Sequence, residues 1–222
     1  MIRKPSGTAL IGILTLVGVG AAFASQTVSL RNWSTDRPVV LDQEQDYSFH
    51  NVVIAGMRDA AALTLTGRIH SLTISKSLLG NVRAGERGQA ASLMSAGASV
   101  ERIIATDSTF FDAETQVVSL RDGRFGLVRF ERCTFRVGDE FLKRLYAENP
   151  WRNCPPLTEF HNIDRLELLD NAFQNTLVVI HPSVRQVVIR GDVKDLHIQD
   201  PDATQVIRLD PAGPKDAAVA MR

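Results

Sequence analysis

FGLVRFERCTF, from Phe125 to Phe135, decides how this chain folds. Its apolar residues Phe125, Val128 and Phe130 are separated by two positions and then by one, the small Cys133 follows, and Phe135 closes the unit. The same eleven-residue arrangement reads IHSLTISKSLL from Ile69, VERIIATDSTF from Val100 and IDRLELLDNAF from Ile163. Weaker copies, FHNVVIAGMRD and VRQVVIRGDVK, begin at Phe49 and Val184. A unit this short cannot bury its own apolar face, so recurrence means that neighbouring copies bury one another as coils of a solenoid.

Ahead of the copies lie second alternating stretches: Leu63 and Leu65, Val118 and Leu120, Val178 and Ile180. Aliphatic residues at period two mark strands, so each coil holds at least two, separated by turns such as Gly67-Arg68, Asp122-Gly123 and His181-Pro182. Leu196, Ile198, Val206 and Leu209 extend the series, giving about seven or eight coils. Two intervals between copies are long. The first, Gly80 to Gly97, is rich in Gly, Ala and Ser and carries Arg83, Glu86 and Arg87, which suits a solvated loop. The second, Val137 to Pro156, contains DEFLKRLYAENPW, where Phe141, Leu142, Leu145 and Tyr146 share one face of a short helix ended by Asn149 and Pro150.

Stacked strands lie about 4.8 Å apart. Leu72, Ile103, Val128, Leu166 and Val187 then form one inward column, and Ile74, Ala105, Phe130, Leu168 and Ile189 another. Ser77, Ser108, Cys133, Asn171 and Asp192 line a corner, where short polar side chains satisfy backbone groups left unpaired by the bend. Thr73, Ile104, Arg129, Glu167, Val188 and His197 face outward, beside Ser75, Thr106, Glu131, Leu169, Arg190 and Gln199.

FERCTF and LLDNAF carry a resemblance to the coils of right-handed parallel β-helix proteins, the pectate-lyase-like solenoids. The eleven-residue pattern also matches the leucine-rich repeat consensus, with Ser77, Cys133 and Asn171 at the inward Asn or Cys position. Only QNTLVVIHPS separates Phe173 from Val184, which leaves no room for a helical convex side. The expected fold is therefore all-β, a right-handed parallel β-helix solenoid with one short helical insertion, spanning residues 25–210, with the leucine-rich repeat as runner-up.

The first two dozen residues are a separate object. Arg3 and Lys4 precede an apolar run from Ala9 to Phe23, with small residues at Ala22 and Ala24. Residues 1–24 are expected to be a secretory signal peptide; an uncleaved membrane anchor is the alternative, for which the run is shorter than the roughly 20 apolar residues a span needs. The tail 211–222, PAGPKDAAVAMR, has no apolar period and is expected to be disordered. The chain holds 25 basic and 25 acidic residues, so nothing in its charge points to nucleic acid. Two cysteines, Cys133 and Cys154, allow a single disulfide in an oxidising compartment, and a buried unpaired thiol at Cys133 is an equal reading.

No nucleophile elbow, phosphate loop, HExxH or CxxC occurs, and no catalytic residue, metal or cofactor is assigned. Asn32-Trp33-Ser34 matches a glycosylation acceptor, a triplet common by chance. His161 and His181 fall at the same turn of adjacent coils, which is two ligands where a metal site needs more. Arg129, Glu131, Glu167 and Arg190 form the candidate ligand-binding group on the outward face, set against a plain ladder of solvated ion pairs. The expected role is an exported, periplasmic or extracellular, non-catalytic module that binds a polysaccharide or envelope protein or serves a structural role. The resemblance makes a small polysaccharide lyase or glycoside hydrolase the alternative, with Glu131 and Glu167 its neighbouring carboxylates. Intact mass of the exported protein should lack residues 1–24; a mass that includes Arg3 and Lys4 means a membrane-anchored protein instead.

Overall fold

A computed structural model describes residues 27–85, 88 and 90–210; the expected signal peptide and tail lie outside the described residues. Three stacks of parallel strands form the walls of a three-sided solenoid. The first contains β2 (Val39–Leu41), β4 (Ala61–Leu65), the first part of β7 (Ala91–Thr106) and of β9 (Gln116–Glu131), then β11 (Leu157–Phe160), β14 (Leu177–Ile180) and β16 (Leu196–Ile198). The second contains β1 (Thr27–Thr35), β3 (Asp46–Arg58), β5 (Arg68–Ser75), the later parts of β7 and β9, then β12 (Ile163–Leu169), β15 (Gln186–Arg190) and β17 (Gln205–Leu209). The ends of β1 and β3, then β6 (Leu78–Arg83), β8 (Thr109–Ala113), β10 (Thr134–Arg136) and β13 (Ala172–Gln174), make the third. The chain visits the three stacks in that order and repeats. The fold is thus all-β, a parallel β solenoid, and strand rather than helix forms the side on which a leucine-rich repeat would place its helix.

Both inward columns of the second stack are in the expected register from Leu72 to Val187 and from Ile74 to Ile189, and all ten residues are buried. The last apolar position of each motif belongs to the third stack. There Leu79, Phe110, Phe135 and Phe173 are register partners. The Phe110 and Phe135 rings stack at 5.3 Å and 12°, and those of Phe135 and Phe173 at 4.8 Å and 6°. Parallel in-register pairing imposes this, because identical residues on consecutive rungs repeat their rotamers directly above one another.

Between the second and third stacks each coil turns through one residue with positive φ: Asn32, Asn51, Lys76, Asp107, Arg132, Asp170 and Gly191, at 49–54° for all but the glycine. That turn leaves the next backbone N–H without a strand partner, and the following coil supplies one. Val52 N–H donates to Ser77 Oγ (3.1 Å), Ser77 N–H to Ser108 Oγ (3.1 Å) and Cys133 N–H to Asn171 Oδ1 (2.8 Å). Asn171 returns a bond from Nδ2 to the Phe130 carbonyl, 2.9 Å. The corner column ends there, since Asp192 is exposed.

Three expectations need correction. The Phe49 copy is out of register by five residues, because Tyr47 and Phe49, not Val52 and Ile54, pair with Leu72 and Ile74. Val52 and Ile54 are equally buried but lie on the third side, so apolar alternation continues around the corner and misleads the eye. Gly80–Gly97 is mostly strand, since β6 and β7 fill it up to residue 83 and from residue 91. Gly80 is needed there for close approach: a Cβ would stand 1.8 Å from the Phe111 carbonyl oxygen. Finally, Ile207 and Leu209 of β17 complete the outward columns assigned to His197 and Gln199, and His197 lies in the first stack opposite Val179.

The insertion holds α1 (Asp139–Glu148), which buries Phe141 and Leu145 and is closed by Asn149, as its apolar face predicts. No helix among the described residues is long and apolar enough to cross a membrane. Phe135→Ala should cost about 3–5 kcal/mol, since it breaks the ring column from within, while Thr73→Asp, exposed on the second side, should shift stability by less than about 0.5 kcal/mol. Thermal melts decide; equal losses would mean that inward and outward sides are misassigned.

Candidate functional site

Register places Ser48, Thr73, Ile104, Arg129, Glu167, Val188 and Ile207 in one outward column of the second stack, and His50, Ser75, Thr106, Glu131, Leu169, Arg190 and Leu209 in the next. Alternation along β9 and β12 thus brings Arg129 directly beside Glu167, with Glu131 beside Leu169 one position on. Arg129 Nε donates to Glu167 Oε2 (2.5 Å), and Arg165 Nε, from the same strand as Glu167, donates to Oε1 (2.6 Å). Both carboxylate oxygens are therefore occupied. Arg165 goes on to Gln186, and Gln186 to Gln205, at 2.6 and 2.7 Å.

Glu167 is buried although it faces outward, with a side chain 6% exposed. Burial pushes its carboxyl up, but the hydrogen bonds and charges of Arg129 and Arg165 outweigh that and hold it below the usual carboxylate range. Leu169 and Val188, which face outward on the same two columns, are buried too.

Glu131 and Arg190 belong to a second cluster at the corner. Arg190 Nη2 lies 2.7 Å from Asp170 Oδ2 and 3.8 Å from Glu131 Oε1. Arg132 bridges Glu131 (2.5 Å) and Asp107 (2.8 Å), and its hydrogen bond holds Asp107 below the ordinary carboxylate range. The four sequence candidates thus form two adjacent ion-pair groups rather than one free constellation. Cys133 and Cys154 are both free thiols. Cys133 fills the corner column, where burial pushes its thiol up to about 11 and leaves it unreactive at neutral pH.

A further cluster lies on the outer side of the first stack, where Ser119, Glu159 and Val179 are register partners. Buried Glu159 accepts from Ser119 Oγ and Gln116 Nε2 through Oε1, both at 2.8 Å, and its Oε2 lies 3.7 Å from His161 Nε2. The His161 and His181 rings stack at 4.4 Å, as their equivalent turn positions imply. The Ser183 N–H donates to His181 Nδ1 (3.2 Å), which gives neutral His181 its proton on Nε2. The Ser119 hydroxyl donates to the Glu159 carboxylate rather than to an imidazole, so the cluster lacks the serine–histidine contact of a nucleophilic triad. Glu159 escaped the sequence reading because an outward charge on a strand reads as solvated; its flanking apolar Phe160 and Leu157 were the available signal. Among the described residues no three His, Cys, Asp or Glu side chains converge to hold a metal.

Two shallow depressions follow one another along the corner between the first and second stacks. One, of about 470 Å³, is lined by Asp46, His70, Ser71, Glu101, Arg102 and Leu127; the other, of about 490 Å³, by Gly123, Arg124, Asn162, Asp164, Ser183 and Arg185. Arg102 and Arg124 are exposed and carry no hydrogen bond or ion pair among the described residues. Neither was a candidate from sequence, since both look like ordinary strand-flanking charges. A comparison with models of protein families finds no match, and comparisons with curated proteins and with solved structures find none either.

Burial lowers the His161 pKa, the Glu159 charge opposes that, and His181 and Arg121 add to the lowering; the net position is below the ordinary value. A histidine of depressed pKa leaves the unfolded chain binding more protons, so its contribution to stability is complete above about pH 6.5 and is lost as pH falls through the folded value. Urea midpoints should therefore decline from pH 7 toward 5, and His161→Gln should flatten that limb. It should leave the further loss below about pH 4, where Glu167 and Asp107, both depressed, take up protons. An unchanged slope between pH 7 and 5 in His161→Gln would overturn the assignment.

Proposed function

We propose that this chain is an exported, non-catalytic binding module of the right-handed, pectate-lyase-like β-helix kind, acting in the periplasm or outside the cell on an acidic polysaccharide. The observation that carries this is the pair of consecutive depressions, which supply guanidinium groups from Arg102 and Arg124 that have no side-chain partner among the described residues, beside a charged second face. Rungs about 4.8 Å apart repeat along the groove as sugar units repeat along a polymer, and planar guanidinium forks suit carboxylate or sulfate groups. Arg129, Glu131, Glu167 and Arg190 form the floor of that face. Their mutual pairing holds that floor fixed and leaves direct contact with the ligand's acidic groups chiefly to the corner arginines.

The same pairing weighs against the lyase or hydrolase reading. A general acid must hold a proton near neutral pH, whereas Glu167 is held ionised between two arginines. Glu131 is in turn engaged by Arg132 and lies near Arg190.

Retention on immobilised acidic and neutral polysaccharides tests the proposal, with reducing and unsaturated ends assayed in the same samples. Acidic polymers should be retained without cleavage. Arg102→Ala and Arg124→Ala should each weaken retention roughly tenfold, the loss of about 1.4 kcal/mol expected for one charge-assisted contact, with the melting temperature unchanged. Retention equal to the parent in both variants removes the corner from the site; release of sugar ends establishes the enzyme instead.

A further inference from the structure

The two ends of the solenoid are built differently. At the C-terminal end, the inward column that passes through Ile189 finishes on Arg208, an exposed charge where every preceding rung is apolar. An inward-pointing charge on a terminal strand prevents another strand from adding there. At the N-terminal end the described residues hold no such guard. β1 is hydrogen-bonded to β3 along one edge, and its inward residues Val28 and Trp33 are 37% and 36% exposed. Arg31 is the single charge in TVSLRNWST, and it faces outward beside His50.

We propose that this open edge docks a second copy of the chain, N-terminal end to N-terminal end, with β1 antiparallel to β1 about a two-fold axis through Ser29. That register sets Val28 opposite Leu30 of the second copy and Leu30 opposite Val28, which continues both inward columns across the junction. Arg31 falls opposite Thr27, so no like charges meet. The contact is self-complementary and closes after two chains. Head-to-tail addition is disfavoured by the other end: it would lay Arg208 of one copy over Leu30 of the next, inside the apolar column, with an unpaired guanidinium to desolvate.

Sedimentation of the purified protein, its N-terminus read by mass, should give twice the mass of one chain at micromolar concentration, with no larger species. Val28→Lys places a charge at the junction and should restore the single-chain mass without changing the melting temperature. Because residues opposite one another in an antiparallel pair have Cα atoms about 4.5–5.5 Å apart, within disulfide range, Ser29→Cys in a Cys154→Ser background should form an intermolecular disulfide under mild oxidation. Thr73→Cys, exposed on the same side but remote from the junction, should not. A single-chain mass at all concentrations, polymers of open length, or equal cross-linking from Ser29→Cys and Thr73→Cys would each overturn the proposal.

Discussion

The turn between the second and third stacks sets everything else in this fold. A parallel coil must change direction without abandoning its backbone hydrogen bonds, and here it does so through one residue of positive φ per coil, followed by a small residue whose N–H points at the next coil. Ser77, Ser108 and Asn171 accept from the coil before them, while the Ser77 and Ser108 hydroxyls donate to carbonyls of their own turn, so the corner N–H groups depend on the neighbouring coil. Sliding one coil past another by a single residue would orphan these donors and turn every inward side chain outward. Asn and Asp occupy most of the positive-φ positions because their short side chains tolerate that conformation. Lys76 and Arg132 stand there at a cost that their exposure to solvent and, for Arg132, its bonds to Asp107 and Glu131 help to offset.

Once register is fixed, the motif becomes legible, and this explains which features could be read from sequence. Leu72, Val128 and Leu166 are columns because period two on a half-buried strand admits little else. The third side was harder: β10 and β13 span three residues each, too short for a period, and they announce themselves only through Phe135 and Phe173. Register failed where the sequence offered two equally apolar solutions, at Tyr47 and Phe49 against Val52 and Ile54. It failed again at Ala91 and Ser95, where small residues satisfy a strand whose side chains meet close neighbours. Glu159 and Arg124 were missed for the opposite reason: burial and the absence of an ion pair depend on what adjacent coils contribute, and no window of one strand contains that information.

Stacking also restricts what charges on such a wall can do. Residues on consecutive rungs of one column sit about 4.8 Å apart, so like charges repel strongly and opposite charges pair. Most such pairs are exposed and stabilise by only about 0 to 1 kcal/mol. Glu167 differs because it is buried, and removing Arg129 or Arg165 would leave a desolvated carboxylate short of a partner. Its two arginines are best understood as the condition under which a carboxylate can occupy that rung at all.

Neutralised columns make a chemically quiet wall. A carboxylate clamped by guanidinium groups is a poor proton donor, and a guanidinium clamped by carboxylates has little left to offer an anion. The corner between the first and second stacks escapes this constraint, because the register neighbours of Arg102 are Ser71 and Leu127 and that of Arg124 is Ser99, none of which offers a charge to pair with a guanidinium group. Arg102 and Arg124 consequently keep their hydrogen-bonding capacity free in water, where exchanging solvent for a ligand carboxylate costs less than breaking an existing ion pair. Electrostatic matching along the strands thus moves the available binding chemistry from the flat face, where the sequence places most of its charge, to the adjoining edge.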